Sequence, residues 1–426
     1  MKKEDNELLC RIGPGTAMGT LLRYFWLPAL LEEELPVVDG APVRLRLLGE
    51  DLVAFRDSKD RIGIVDAYCA HRRAGLFLGR NEDNGIRCVY HGWKFDVDGN
   101  CLEIPSVNKD NNYQSRVKIK AYKTALRGGV IWVYMGPSEN VPALPDFEWS
   151  RLPEMQRTIT KRIQRTNWSQ AVEGGIDSAH VSFLHSHTKK KSTGFNFQDS
   201  DEVWKYLEVD KDPVFSVSEA PHGLQIKARR NADVDNFYWR VTQFMLPFYT
   251  LTPPTCDPKD SIGADYYGHA WVPIDDENCW TWSFHAKPRG EFTVAEREHF
   301  GGRAGAWGPV DEQYHPIYNM SNDYMINRQR QRLENYTGIE GIQNQDAAVQ
   351  ESMGAIVDRS LENLVHTDLA VVRYRNLMLD LSKKCIEGQI PDAAFGAGIY
   401  NKRPATLLLS RSISVDEGAT DWTEIS

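Results

Sequence analysis

The sequence predicts an α+β protein: an N-terminal all-β domain, then a larger domain whose antiparallel sheet packs against helices. Three observations carry this. From Pro42 to about Met135, apolar and polar residues alternate over short runs, the period-two pattern of half-buried strands. A Pro/Gly-rich stretch at 136–145 interrupts the chain, as linkers do. Beyond it, helical patterns bracket a set of long strand patterns, which suits a sheet layered on helices. The expected units are a helical lead (1–40), a β-domain (41–150) and a second domain (151–426).

Composition narrows the class. The chain has 426 residues, 41% apolar and 26% charged, an ordinary globular mix that excludes disordered, collagen-like and disulfide-stapled proteins. Lys plus Arg is 50 against 59 Asp plus Glu, a net charge of −9, without the basic excess of a nucleic-acid binder. Seven scattered cysteines do not read as a disulfide framework and favour a reducing cytoplasm. Leu21 to Leu31 is too short and interrupted to span a membrane, and the start lacks a signal peptide's apolar core. A cytoplasmic location is expected.

In chain order, Thr16 is expected to cap a helix over 16–31 that ends near Pro28. Val43 to Tyr68 alternates around turns at Gly49–Asp51 and Asp57–Asp60, a hairpin signature. Strands are expected at Trp93–Val97, Cys101–Ile104, Val117–Tyr122 and Val130–Met135. In the second domain Asn167 to about His185 reads as a helix. Leu224–Arg230, Phe237–Thr250 and Tyr266–Lys287 read as long strands, and Gln343–Cys385 as an amphipathic helical region.

Two constellations carry chemistry. The first is Cys69-Ala70-His71 and, sixteen residues on, Cys88-Val89-Tyr90-His91. Structural zinc knuckles usually pair like ligands. Here each loop supplies one thiolate and one imidazole, as a two-iron cluster needs when one iron is held by sulfurs and the other by imidazoles. That is the Rieske [2Fe–2S] pattern. Gly75 and Gly92 are expected to let backbone amides approach, and Tyr90, Trp93 and Phe95 to shield the cluster. Neither extra cysteines nor a serine after Gly92 accompany it, so a potential near −150 mV is expected rather than the top of the range near +300 mV.

The second constellation is Asp177-x-x-His180-x-x-x-x-His185. Two imidazoles and a carboxylate on one face of a metal are the facial triad of non-haem Fe(II) sites. Asp177 and His180 share a helical face. His185, five residues on, faces elsewhere on a straight helix, where His187 fits better; His185 joins only if the helix ends or bulges near Ser182. The third ligand must come from outside, and Asp346, in an amide-rich helical start, also reads as an ordinary N-terminal helix acid.

The two sets together resemble the Rieske non-haem iron aromatic ring-hydroxylating oxygenases, specifically the phthalate dioxygenase-like oxygenase components, and the resemblance covers nearly the whole chain. It implies a helix-grip second domain. Cys69, His71, Cys88 and His91 would hold the [2Fe–2S] cluster, and His180, His185 and Asp346 a mononuclear iron, with His187 left as a neighbour or exposed. Asp177 would bridge His180 to His91 of the next subunit in a head-to-tail trimer, alone or stacked, because the cluster of the same chain lies too far away.

The implied activity is terminal oxygenation of an aromatic carboxylic acid of the phthalate or benzoate class by O₂. The alternative is monooxygenation or O-demethylation of an aromatic ether or phenoxybenzoate-type acid. No dinucleotide fingerprint or plant-type cysteine run is present. Electrons from NAD(P)H are therefore expected through a separate flavin and ferredoxin-type reductase. A carboxylate substrate needs a cation; Arg229, Arg230 and Arg240 are available, with Arg240 beside aromatics. The substrate-binding candidates are Arg240, Asn167 and Glu173, the last by its family position. Lys189–Lys191 reads as a solvated loop, and His222, His269, His285, His299, His315 and His366 as structural. Two rival readings are an electron carrier that has lost its iron and a zinc hydrolase built on His180 and His185.

Overall fold

The computed structural model describes all residues except 109–111, 187–200, 255–257, 259–263, 424 and 426. Three antiparallel sheets organise the described residues. A six-stranded sheet runs in the order Trp26–Leu31, Val130–Tyr134, Ala121–Arg127, Ile62–Asp66, Glu50–Arg56, Val43–Leu47. A four-stranded sheet of short strands, Arg80–Glu82 to Cys101–Glu103, stands against it. The third sheet, eight strands between Arg157–Gln164 and Ala405–Ser410, forms the second domain.

The first helix is shorter than expected. Thr16 does cap it, its side chain accepting from the Gly19 amide at 3.0 Å, but it ends at Arg23, and Trp26–Leu31 is a strand. All six residues of that strand are buried, and a short wholly apolar run carries no periodicity to separate strand from helix. Pro28 is tolerated because the strand lies on the sheet edge, with a register shift beside it. At the next hairpin Leu48 and Gly49 both have left-handed φ, 47° and 77°, as a two-residue hairpin turn demands. Its tip donates amides to Pro273 O and Ile274 O at 3.0 and 2.9 Å, joining the two domains.

Two other helices are also shorter. The one expected to reach His185 spans Trp168–Ile176; Asp177 is extended, and a 3-10 turn covers His180–Ser182. Asp177 Oδ1 accepts the Ala179 amide at 2.7 Å, a local turn that competes with helix continuation. The C-terminal helical region is two helices, Ile342–Ser352 and Leu369–Ile386, the first stopping before Gly354 at φ 90°. Among the described residues no helix is long and apolar enough to cross a membrane.

Candidate active site

The two Cys-His loops meet at one end of the β-domain. Cys69 and Cys88 belong to a buried apolar cluster with Val53, Phe55, Phe95 and Ile104, at 1% and 3% exposure. His71 is exposed and His91 partly so, their ring centroids 4.4 Å apart. Sulfurs lie inward and imidazoles outward. The loops are tightened by Cys69 N–Ala74 O, Cys88 N–Trp93 O and Gly92 N–Cys88 O hydrogen bonds of 2.8 to 2.9 Å. Gly92 has φ 75°, and a Cβ there would meet the Pro105 ring at 3.0 Å, whereas Gly75 has open space and an ordinary φ. The close-approach role therefore falls to Gly92. Trp93 stacks on His71 at 4.7 Å and Phe95 is buried beneath, while Tyr90, 55% exposed, lays its ring 3.9 Å from that of His91 on the outer side.

Burial pushes the Cys69 thiol up to about 11, and the neighbouring Cys88 thiol adds to the effect. Such thiols ionise when a metal takes them. Two inward sulfurs and two rim imidazoles on adjoining loops therefore fit a [2Fe–2S] group of mixed ligation.

In the second domain the early end of helix Trp168–Ile176 brings His185 beside His180. His180 Nε2 and His185 Nε2 lie 3.2 Å apart; Asp346 Oδ1 is 3.3 Å from the latter and 3.7 Å from the former. Neighbouring positions on an octahedron with bonds of about 2.1 Å are roughly 3 Å apart, so the three atoms fit one face around an iron ion. Asp346 lies in the second turn of its helix, not among first-turn acids. Burial raises both Asp346 and Asp177, but the facing imidazoles outweigh it and hold each below its usual range. Burial would lower His180, yet the Asp177 hydrogen bond and charge lift it above normal. A second anion, Asp177, thus lies close to the donor set through His180, and a bound cation balances such buried charge.

These groups line a cavity of about 510 Å³ with Tyr267, Trp271 and Trp307 in its walls. Of the three arginine candidates only Arg240 lines it. Arg240 is 3% exposed, with contacts to Tyr238 Oη at 3.5 Å and Pro253 O at 3.3 Å; its Nε has no partner. No carboxylate pairs with it among the described residues. Arg230 is spent below, holding Ser178 O at 2.6 Å, and Arg229 lies over the Phe237 ring at 4.3 Å.

Asn167 and Glu173 do not line the cavity. Asn167 is the helix cap, accepting from Ser169 N and donating to Cys10 O and Asp276 O. Glu173 is half-buried between Arg359 and Arg375 at 2.9 and 2.8 Å, tying the helix to the chain's C-terminal part. Both side chains are saturated by protein, which leaves nothing for a substrate. Conversely His269 and His299 line the cavity, although no spacing in sequence marked them, and Gln345 contacts His185. His187 and Lys189–Lys191 lie outside the described residues.

Residues 25–123 match the Rieske [2Fe-2S] domain family and residues 133–425 the LigXa C-terminal domain-like family. The phthalate 4,5-dioxygenase oxygenase subunit of Pseudomonas putida is 39% identical over 88% of this chain and 85% of its own. This chain belongs to the Rieske oxygenases, on their phthalate dioxygenase-like branch. A 3-chlorobenzoate-3,4-dioxygenase oxygenase subunit from Comamonas testosteroni is 37% identical over 88% of this Rieske oxygenase and 87% of itself. The 5,5'-dehydrodivanillate O-demethylase oxygenase subunit of Sphingobium sp. is 30% identical over 99% and 89%. The crystal structure of dicamba monooxygenase bound to dicamba shares the fold, at TM-score 0.60 and 17% identity over 86% of this chain and 99% of that one.

Proposed function

We propose that this Rieske oxygenase is the terminal component that inserts O₂-derived oxygen into an aromatic carboxylic acid of the benzoate or phthalate class, with NAD(P)H electrons arriving through a flavin and ferredoxin-type reductase. The observation that carries the substrate class is Arg240, a buried guanidinium without a carboxylate partner among the described residues, in an aromatic-walled cavity beside His180, His185 and Asp346. A buried cation left unpaired is costly, and a ligand carboxylate relieves it with charge-assisted hydrogen bonds.

Cys69, His71, Cys88 and His91 would hold the cluster, and His180, His185 and Asp346 the mononuclear iron. Bound there, the two metal groups supply stepwise electron delivery and O₂ activation. The chain's own residues do the rest. Arg240 fixes the acid's carboxylate, and Tyr267, Trp271 and Trp307 enclose its ring and exclude water. Asp177 holds the Nδ1 proton of His180 and reaches His91 of the partner subunit in a ring of three, single or stacked. The outward rim of His71 and His91 supports that arrangement. A cytoplasmic location accords with cysteines that are all unpaired among the described residues.

The second reading, monooxygenation or O-demethylation, is favoured by the O-demethylase subunit that matches 99% of the chain. Reduced protein is screened anaerobically with benzoate, the phthalate isomers, chlorobenzoates and phenoxybenzoates, then turned over with ¹⁸O₂ and a reductase. Two labelled atoms in the product mark dioxygenation and one marks ring monooxygenation; an unlabelled phenol with released formaldehyde marks demethylation. Arg240→Met should weaken binding of the acid at least tenfold, as loss of a charged hydrogen bond worth about 1.5–3 kcal/mol predicts. Unchanged binding would remove the carboxylate assignment.

A further inference from the structure

The two imidazoles beside Asp346 are held from behind by different chemistry. Asp177 takes the Ala179 amide on Oδ1 at 2.7 Å and presents Oδ2 to His180 Nδ1 at 3.4 Å. Behind His185 stands an amide instead: Gln345 Oε1 is 2.7 Å from His185 Nδ1. The other contact of the amide decides which end faces the ring. Gln345 Nε2 lies 3.0 Å from the carbonyl of Ile339, which can only accept. The amide oxygen is therefore turned to His185, and Nδ1 must be the protonated nitrogen. That leaves the lone pair on Nε2, the atom that converges with His180 Nε2 and Asp346 Oδ1.

Gln345 is 4% exposed, and it is the residue before Asp346 on helix Ile342–Ser352. One helical turn thus carries both a carboxylate of the site and the group that aims an imidazole across it. The anchoring is firm at both ends. The Asn344 side chain accepts from Arg162 at 2.7 Å and donates to Glu340 O at 2.8 Å, so the turn bearing Gln345 is pinned to the sheet.

We infer that Gln345 is the positioning residue of His185: its amide fixes the ring's tautomer and tilt toward a metal. Because this acceptor is neutral where Asp177 is anionic, His185 and His180 are unequal donors. The inference rests on the metal-ligand reading proposed above. Acceptors behind ligand imidazoles commonly set metal affinity.

The test uses full-length protein with its cluster intact and oxidised, depleted of the mononuclear metal and dialysed against Co(II). Elemental analysis separates bound cobalt from cluster iron. Gln345→Leu is expected to weaken Co(II) binding about 10–100-fold and to change the rhombicity of the Co(II) EPR signal. Gln345→Glu keeps an acceptor for Nδ1 while losing the donor to Ile339, and is expected to restore most of the affinity. Wild-type affinity and spectrum in Gln345→Leu overturn the inference. So does equal weakening in the Leu and Glu variants, which would assign Gln345 to the Ile339 contact alone. Where the Leu variant fails to fold, Gln345→Asn, one methylene too short, is expected to show the same loss; wild-type binding there overturns the inference as well. His185→Ala separates the two levels, since retained Co(II) affinity in that variant defeats the ligand reading itself.

Discussion

Asp177 Oδ2 and His180 Nδ1 lie 3.4 Å apart where helix Trp168–Ile176 stops. The carboxylate that ends the helix by capturing the Ala179 amide is thus the one that orients the first imidazole. One residue sets both the backbone break and the ring.

Asp177→Asn keeps a hydrogen-bonding side chain of the same size but removes its charge. Both metal groups should remain bound, because the asparagine oxygen still accepts from His180 Nδ1, while turnover should fall about 10–100-fold. Iron content, the visible spectrum of the cluster and single-turnover rates check this. Normal turnover would end the bridging role.

The cluster potential follows from what surrounds it. Cys69 and Cys88 are free cysteines without a neighbouring disulfide, and Trp93 stands after Gly92 where a hydroxyl could have donated. With fewer donors to stabilise the reduced state, the potential should lie near −150 mV. A spectroscopic redox titration above zero would contradict that.

Glu173 is expected to act on stability rather than on substrate. It is shared by Arg359 and Arg375, both buried. Breaking a buried ion pair from one side costs about 3–5 kcal/mol, so Glu173→Gln should lower the melting temperature by several degrees. KM for the acid in the folded fraction should be unchanged. A raised KM at wild-type stability would return Glu173 to the substrate site.

Acid sensitivity has an identified source in His222. Burial lowers this ring to about 4, against a hydrogen bond to Gln243 Oε1 that favours the charged form. The unfolded ring titrates near 6.5, so between those values the unfolded chain binds the extra proton. Stability present above about 6.5 is therefore lost as pH falls toward 4, on the order of 3 kcal/mol from this ring. Melting temperatures at pH 7.5 and 5 should diverge less in His222→Gln than in the wild type. Equal slopes would remove His222 from the account.

Much of the site was legible because its donors come in local groups. Cys69 with His71, Cys88 with His91, and Asp177 with His180 are each within three residues, so spacing alone carries chemistry. His185 was harder. Helical geometry favoured His187, and only the break after Ile176 turns a five-residue spacing into a shared face. Asn167 and Glu173 shared the site's neighbourhood in sequence, yet Cys10, Asp276, Arg359 and Arg375 claim them from far along the chain.

Residue identity and short-range spacing were enough to nominate two candidate metal-binding sets, to place an all-β domain before an α+β one, and to nominate an arginine for an acid. Packing between distant segments decided the rest. It made Trp26–Leu31 a strand, because an all-apolar run adopts whichever hydrogen-bonding partner is beside it. It also brought Gln345 and Asp346, on one helix, and Arg240, on the sheet, to one cavity. Convergence of that kind depends on how helix and sheet meet, a long-range relation that no local pattern encodes.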